Sequence, residues 1–348
     1  MSNTITFVVN THTLSRIFGL GAFAFFFSMV LTPIYTTAAY KYQWWKKPRT
    51  DAATGEKATM YTKLHAAKHD RHIPTMAGMI FVVSALIVTL IANLSRSETW
   101  LPLAAMAGAG AIGLIDDVLN INSSGKGIAG MRAKLKLFLI IAVALVGGWW
   151  FYNKLDVSAI HIPFVTNPWQ LGWLIVPLFV LVVVATANAV NITDGLDGLA
   201  GGLTAIAFGA YTIIAFLEKK YGIAGFCLTM VGAILSYTWF NIFPARFFMG
   251  DVGSFALGTA LGVVAMLTNT VLILPVIGII FVAEAGSSMI QILSKKLRGG
   301  KKVFKIAPIH HHFEALGWPE TKVTMRFWVI GQVAATLGLI LFLLGRQL

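Results

Sequence analysis

Long apolar runs separated by shorter polar segments organise this chain. Ten of them are candidate membrane spans: 17–39, 74–94, 100–117, 134–152, 172–190, 198–217, 223–243, 252–268, 271–293 and 325–345. A helical span needs ~20 predominantly apolar residues, and several runs reach that length. No internal repeat or low-complexity segment stands out, and the two halves show no inverted-repeat signal of the kind many transporters carry. The pattern predicts an all-α polytopic membrane protein of about ten transmembrane helices, in one integral-membrane domain over residues 1–348.

Composition agrees. Of the 348 residues 57% are hydrophobic and 12% charged, against ~25% charged in a soluble domain, and the mean hydropathy is +0.76. The single cysteine, Cys227, lies in an apolar run and reads as a packing residue, so no intramolecular disulfide forms. The first residues, MSNTITFVVNTHTLSRIFGLGAF, lack a basic region and a small-residue cleavage site, so they are read as leading into the first span.

The basic residues set the expected orientation. Segments 40–73, 118–136 and 294–326, with Arg246, hold 21 of the 27 Lys and Arg; Arg16, Arg96, Lys154, Lys219, Lys220 and Arg346 fall on the other side. The excess marks the first set as cytoplasmic, and ten spans then place both termini outside. The net charge of +13 is therefore mostly a topology signal, with attraction to anionic lipid or substrate added. No basic module stands apart from the membrane, and no nucleic-acid partner is expected.

Only 14 acidic residues are present, and their placement is informative. Asp116 and Asp117 end the third span in GLIDDVLNI; Asp194 and Asp197 lie in NAVNITDGLDGLAGG between spans five and six; Asp251 opens span eight in FFMGDVGS. All fall on the cytoplasmic boundary, as does PIHHHFE at 308–314. A single Asp at a helix end reads equally well as a cap, but five on one face point to a cytoplasmic site. Glu284, inside span nine, reads as a hydrogen bond to another helix and is not placed in the site.

Clustered carboxylates with few soft ligands suit a hard cation such as Mg²⁺, which keeps waters and takes one or two carboxylates plus phosphate oxygens. The glycines beside them let backbone N–H groups approach phosphates. Asn188 and Asn191, three apart, share a helix face near Asp194, where amides can read a base or sugar, although an interhelical contact also fits. His310, His311 and His312 cannot all face one metal, so contacts to phosphate are expected rather than structural zinc. The chemistry these residues suit is phosphoryl or phosphosugar transfer onto a lipid.

These motifs together, with APIHHHFEALGWPETKVTMRFW, resemble the polyprenyl-phosphate N-acetylhexosamine-1-phosphate transferase superfamily, in order and over almost the whole chain. PIHHHFEALGWPE is similar to the branch that handles muramoyl-pentapeptide. The resemblance implies ten transmembrane helices, a cytoplasmic active site in the bacterial inner membrane, and Mg²⁺ as cofactor. The reaction implied is transfer of phospho-N-acetylmuramoyl-pentapeptide from its UDP carrier to undecaprenyl phosphate, giving lipid I and UMP for peptidoglycan synthesis. It further implies Asp116 and Asp117 as paired catalytic acids and Asp251 with Asp117 as the Mg²⁺ ligands, Asp116 being the alternative to Asp117. Asn188, Asn191, Asp194, Gly195, Leu196 and Asp197 would form the nucleotide-side motif, and Phe248 would stack on uracil. His310, His311 and His312 would lie near the sugar phosphate, and Lys126 and Lys134 on a basic loop beside the acids. The superfamily's Lys-x-Gly-Thr-Pro-Thr-Met-Gly-Gly corresponds to KHDRHIPTMAGM at 68–79: Pro74, Thr75, Met76 and Gly78 fit, while Asp70 replaces the Lys unless a small insertion makes Lys68 its equivalent. Related enzymes are often dimeric, so a homodimer stays open.

In the implied mechanism an oxygen of the lipid phosphate attacks the phosphorus bearing the sugar and UMP leaves. Asp116 as general base and Asp116 as covalent nucleophile both remain open. Two rivals follow. A sister enzyme would transfer N-acetylglucosamine-1-phosphate instead, and PIHHHFE argues against it. A cation transporter would put acids at mid-membrane depth and on both sides, which the five aspartates do not do.

Overall fold

The computed structural model describes residues 11–45, 72–123 and 130–346. Of the sequence-predicted site residues, Lys68 and Lys126 lie outside the described residues. The helices are α1 (Thr11–Lys41), α2 (Gly78–Ala92), α3 (Trp100–Ile121), α4 (Ala133–Asn153), α5 (Ile175–Thr193), α6 (Leu199–Leu217), α7 (Tyr221–Asn241), α8 (Gly250–Leu267), the single turn α9 (Leu274–Ile277), α10 (Ile279–Leu297), α11 (Ile309–Ala315) and α12 (Glu320–Gly345). A two-residue antiparallel pair, β1 (Ala159–Ile160) with β2 (Trp169–Gln170), joins α4 to α5. Eight described helices, α1, α3 to α8 and α12 (α5 with the 3₁₀ turn before it), are long and apolar enough to cross a bilayer; α2 is a shorter apolar helix. The chain is an all-α polytopic membrane protein.

The central element is α8, 89% of whose apolar window is buried. It packs most extensively on α3 and α5, and α7 packs on α1 and α6. Lipid tails give helices no hydrophobic reason to associate, so close backbone approach must do so. Glycines supply it. A Cβ on Gly113 would run into the Asp251 carbonyl, one on Gly78 into the Gly253 backbone, and one on Gly258 would stand 2.6 Å from the Ala187 Cα. Any larger residue at these crossings pushes α3, α2 or α5 away from α8. The outer surface is apolar, with Phe18, Phe26 and Ile34 of α1 exposed.

Three expected boundaries change. The third helix does not end at Asp117 but runs another turn to Ile121, because Val118 and Leu119 continue its exposed apolar face. The second helix begins at Gly78, not 74, because Met76 takes a φ of +70° and the residues before the helix bond to 248–249 instead: Phe248 N donates to Pro74 O (2.8 Å), Ala77 N to Phe248 O (3.0 Å) and Gly78 N to Met249 O (2.8 Å). The expected span 271–293 is broken at Gly278 into α9 and α10. One side of α10 is polar because it carries the following loop: Gln291 Oε1 accepts from the N–H groups of Val303 and Phe304, each 3.0 Å, and Ser294 Oγ donates to Lys301 O at 2.9 Å.

The grouping of charges by side reappears in space. At one end Arg346 pairs with Glu218 at 2.6 Å and Lys220 donates to Leu267 O at 2.6 Å. The acids at 116, 117, 194, 197 and 251 gather at the other.

Candidate active site

At that end, an ammonium bridges two carboxylates from different helices. Lys136, on the first turn of α4, lies 2.8 Å from Asp116 Oδ2 and 2.5 Å from Asp251 Oδ2. Asp116 Oδ1 accepts from Met131 N at 2.6 Å. A Cβ at residue 130, where Gly130 has φ +82°, would stand 2.8 Å from that same oxygen. Asp251 Oδ1 accepts from Asn191 Nδ2 at 3.3 Å, and the same amide donates to Ser254 Oγ at 2.8 Å. Helices α3, α4, α5 and α8 thus each contribute to one polar cluster.

The adjacent acids point different ways, because successive residues on a helix are ~100° apart. Asp117 is fully buried and turns to the start of α8, where Val252 N donates to its Oδ2 at 3.0 Å. Gly250 has φ +74°, and a Cβ there would collide with this carboxylate. An anion at a helix N-terminus is favourable, so Asp117 fixes the helix that carries Asp251.

The nucleotide-side motif is a tight turn after α5. Asp194 caps α5 and is half-buried. Asp197 is a buried strut: its Oδ2 accepts from Ala245 N at 2.9 Å, and its own N–H donates to Glu320 Oε1 at 2.6 Å. Leu196 is buried beneath the turn. Asn191 reaches the cluster, while Asn188 Nδ2 donates back to Val184 O at 2.8 Å. Phe248 is half-buried, and its backbone N–H and carbonyl bond to Pro74 O and Ala77 N. Thr75 is buried; its carbonyl accepts from Tyr35 Oη at 2.6 Å, and its N–H donates to Trp44 O at 2.7 Å.

The histidines occupy the short helix α11 rather than a loop, and they diverge. His310 Nδ1 is 2.8 Å from Glu284 Oε2 and His311 Nδ1 is 2.6 Å from Glu314 Oε2. His312 Nδ1 accepts from Lys305 N at 3.1 Å. A Cβ on Gly195 would run into the His310 ring, so the histidine segment rests on the nucleotide-side turn. No group of three or more His, Cys, Asp or Glu able to enclose a metal occurs among the described residues.

Sequence reasoning passed over Lys136 in favour of Lys134, which is exposed. A signal was available. The buried residues of α4 include Ile140, Ala144, Gly147 and Phe151, and Lys136 precedes Ile140 by four, on the same face. Two residues away, Lys134 falls on the opposite side. Ser254 was missed similarly, one turn after Gly250.

The sequence profile of glycosyl transferase family 4 matches residues 99–269. The chain is 38% identical over 344 residues to the phospho-N-acetylmuramoyl-pentapeptide-transferase of Chloroflexus aurantiacus, covering 95% of this chain and 90% of the relative. It is 38% identical to that of Clostridium novyi, covering 90% and 93%, and 39% identical to that of Bacillus mycoides, covering 91% and 94%.

Proposed function

This chain belongs to the phospho-N-acetylmuramoyl-pentapeptide-transferase family, and from that membership we propose that it transfers phospho-N-acetylmuramoyl-pentapeptide from UDP-N-acetylmuramoyl-pentapeptide to undecaprenyl phosphate. The products are lipid I and UMP, and the setting is the cytoplasmic face of a bacterial inner membrane. The observation that carries the reading is the Asp116–Lys136–Asp251 bridge at the end of the bundle where Asn191 and the 194–197 turn also lie.

An oxygen of the lipid phosphate attacks the sugar-bearing phosphorus of the donor. A new P–O bond forms there, the diphosphate bridge to the nucleotide breaks, and UMP departs with its electron pair. The obstacle is charge: one phosphate anion approaches a diphosphate. Lys136 supplies positive charge at the meeting point, and Asn191 adds an amide donor. Little base catalysis is required, because the second pKa of a phosphomonoester is ~6 and it is mostly ionised at neutral pH.

The donor set fits Mg²⁺. Asp251 and Asp116 present hard oxygens already drawn together around one cation, and Mg²⁺ takes one or two carboxylates with water and phosphate oxygens. Asp251, whose side chain keeps 17% exposure, would be its principal ligand, and Asp117 would act through α8. Bound there, the ion supplies neutralisation of the diphosphate.

Purified protein with undecaprenyl phosphate and Mg²⁺ is expected to release UMP from UDP-N-acetylmuramoyl-pentapeptide and not from UDP-N-acetylglucosamine, with EDTA stopping release. Release from the second donor alone would move the substrate to the sister enzymes.

A further inference from the structure

Glu284 has no part in the transfer described above, yet it is fully buried and paired. Its carboxylate meets His310 Nδ1 at 2.8 Å, and neither side chain has appreciable exposure. Taking two such groups out of water is costly, and an apolar pair of the same volume often packs as well or better. Packing alone therefore does not call for this pair. What the carboxylate provides is direction: it accepts a hydrogen bond from Nδ1–H, fixes the tautomer, and leaves Nε2 at the far edge of the ring.

The far edge is equally constrained. A Cβ on Gly195 would collide with His310 Nε2 and stand 2.7 Å from Cε1, so the ring lies on the backbone of the turn between Asp194 and Asp197. The His311 ring meets it edge-on at 4.0 Å, and His311 is itself held by Glu314. The ring is therefore boxed between α10, α11 and the turn.

We propose that Glu284 is a positioning residue for the donor site: it locks His310 against Gly195 and so sets the Asp194–Asp197 turn in its nucleotide-binding shape. This rests on the transferase reading above. It assigns Glu284 no contact with substrate. Its effect passes through His310 to the donor side and not to the lipid acceptor.

The test is steady-state UMP release, varying each substrate in turn, for wild type, Glu284→Leu, Glu284→Gln, His310→Ala, Gly195→Ala and the double variant E284L/H310A. Outer hydrogen-bond partners of site histidines commonly contribute ~10–100-fold, so Glu284→Leu is expected to raise the donor KM by about that factor with the acceptor KM unchanged. Glu284→Gln, which keeps an acceptor for the Nδ1 proton, recovers much of the loss. The double variant is no worse than His310→Ala alone, because Glu284 acts through that ring. Gly195→Ala, which displaces the ring from the other side, raises the donor KM in the same way and carries the test together with Glu284→Gln if Glu284→Leu fails to fold in a thermal melt. An unchanged donor KM in these variants, an equal rise in both KM values, or losses that multiply in the double variant would overturn the assignment. Wild type that turns over no donor would overturn the transferase reading, and this inference with it; active wild type with unmoved variants would overturn this inference alone.

Discussion

Asp251→Asn is expected to lose about 10³-fold in turnover, as removal of a preorganised charge at a reacting centre does, while the protein stays folded. The exchange keeps shape and an oxygen for Asn191. It removes the negative charge that Lys136 approaches at 2.5 Å and the principal proposed Mg²⁺ ligand. The helix N-terminus that bears it does not depend on it, since Asp117 supplies the anion there through Val252 N. UMP release and a thermal melt on the same preparation check both halves. A loss below tenfold would move the chemistry elsewhere.

Lys136→Met is expected to cost about 10²–10³-fold in turnover on the same electrostatic grounds. Methionine has nearly the length of lysine and lies along the same path on α4, so the packing change is small. The charge change is not: Asp116 and Asp251 lose the cation between them, and the phosphates lose their nearest fixed positive charge. The same exchange at the exposed Lys134 is expected to cost much less. Comparing the two by UMP release separates a contact at the reacting phosphates from a general attraction of a basic loop. Equal losses would favour the latter.

Much of this arrangement was legible in the chain. All ten apolar runs contain a helix, and the five aspartates do gather at one end. Those inferences rest on apolar length and on the cost of charge in a bilayer, both properties of local sequence. What was not legible depends on how elements meet. That Asp116 faces a cluster while Asp117 holds α8 follows from the rotation of α3 about its axis, which the packing of Gly113 on Asp251 sets. The boundary at 74–78 moved because Met76 takes a positive φ and this proline-containing apolar stretch bonds to the backbone of 248–249. Glu284 reads in sequence as an interhelical hydrogen bond. The structure supplies its partner, His310, 26 positions away, and only the folded chain shows Gly195 on that ring's other side. Asp197 was grouped with nucleotide-side residues on its motif, and its contact with Ala245 N depends on the turn before α8.

The next measurement is the identity of both products from one incubation. UDP-N-acetylmuramoyl-pentapeptide and undecaprenyl phosphate are mixed with the purified protein and Mg²⁺, and the aqueous and lipid phases are analysed by mass spectrometry. Transfer at the Asp116–Lys136–Asp251 cluster predicts UMP in the aqueous phase and, in equal amount, a lipid diphosphate carrying the muramoyl-pentapeptide, with both lost together in Lys136→Met. UDP instead of UMP, a lipid monophosphate product, or full turnover by Lys136→Met would contradict it.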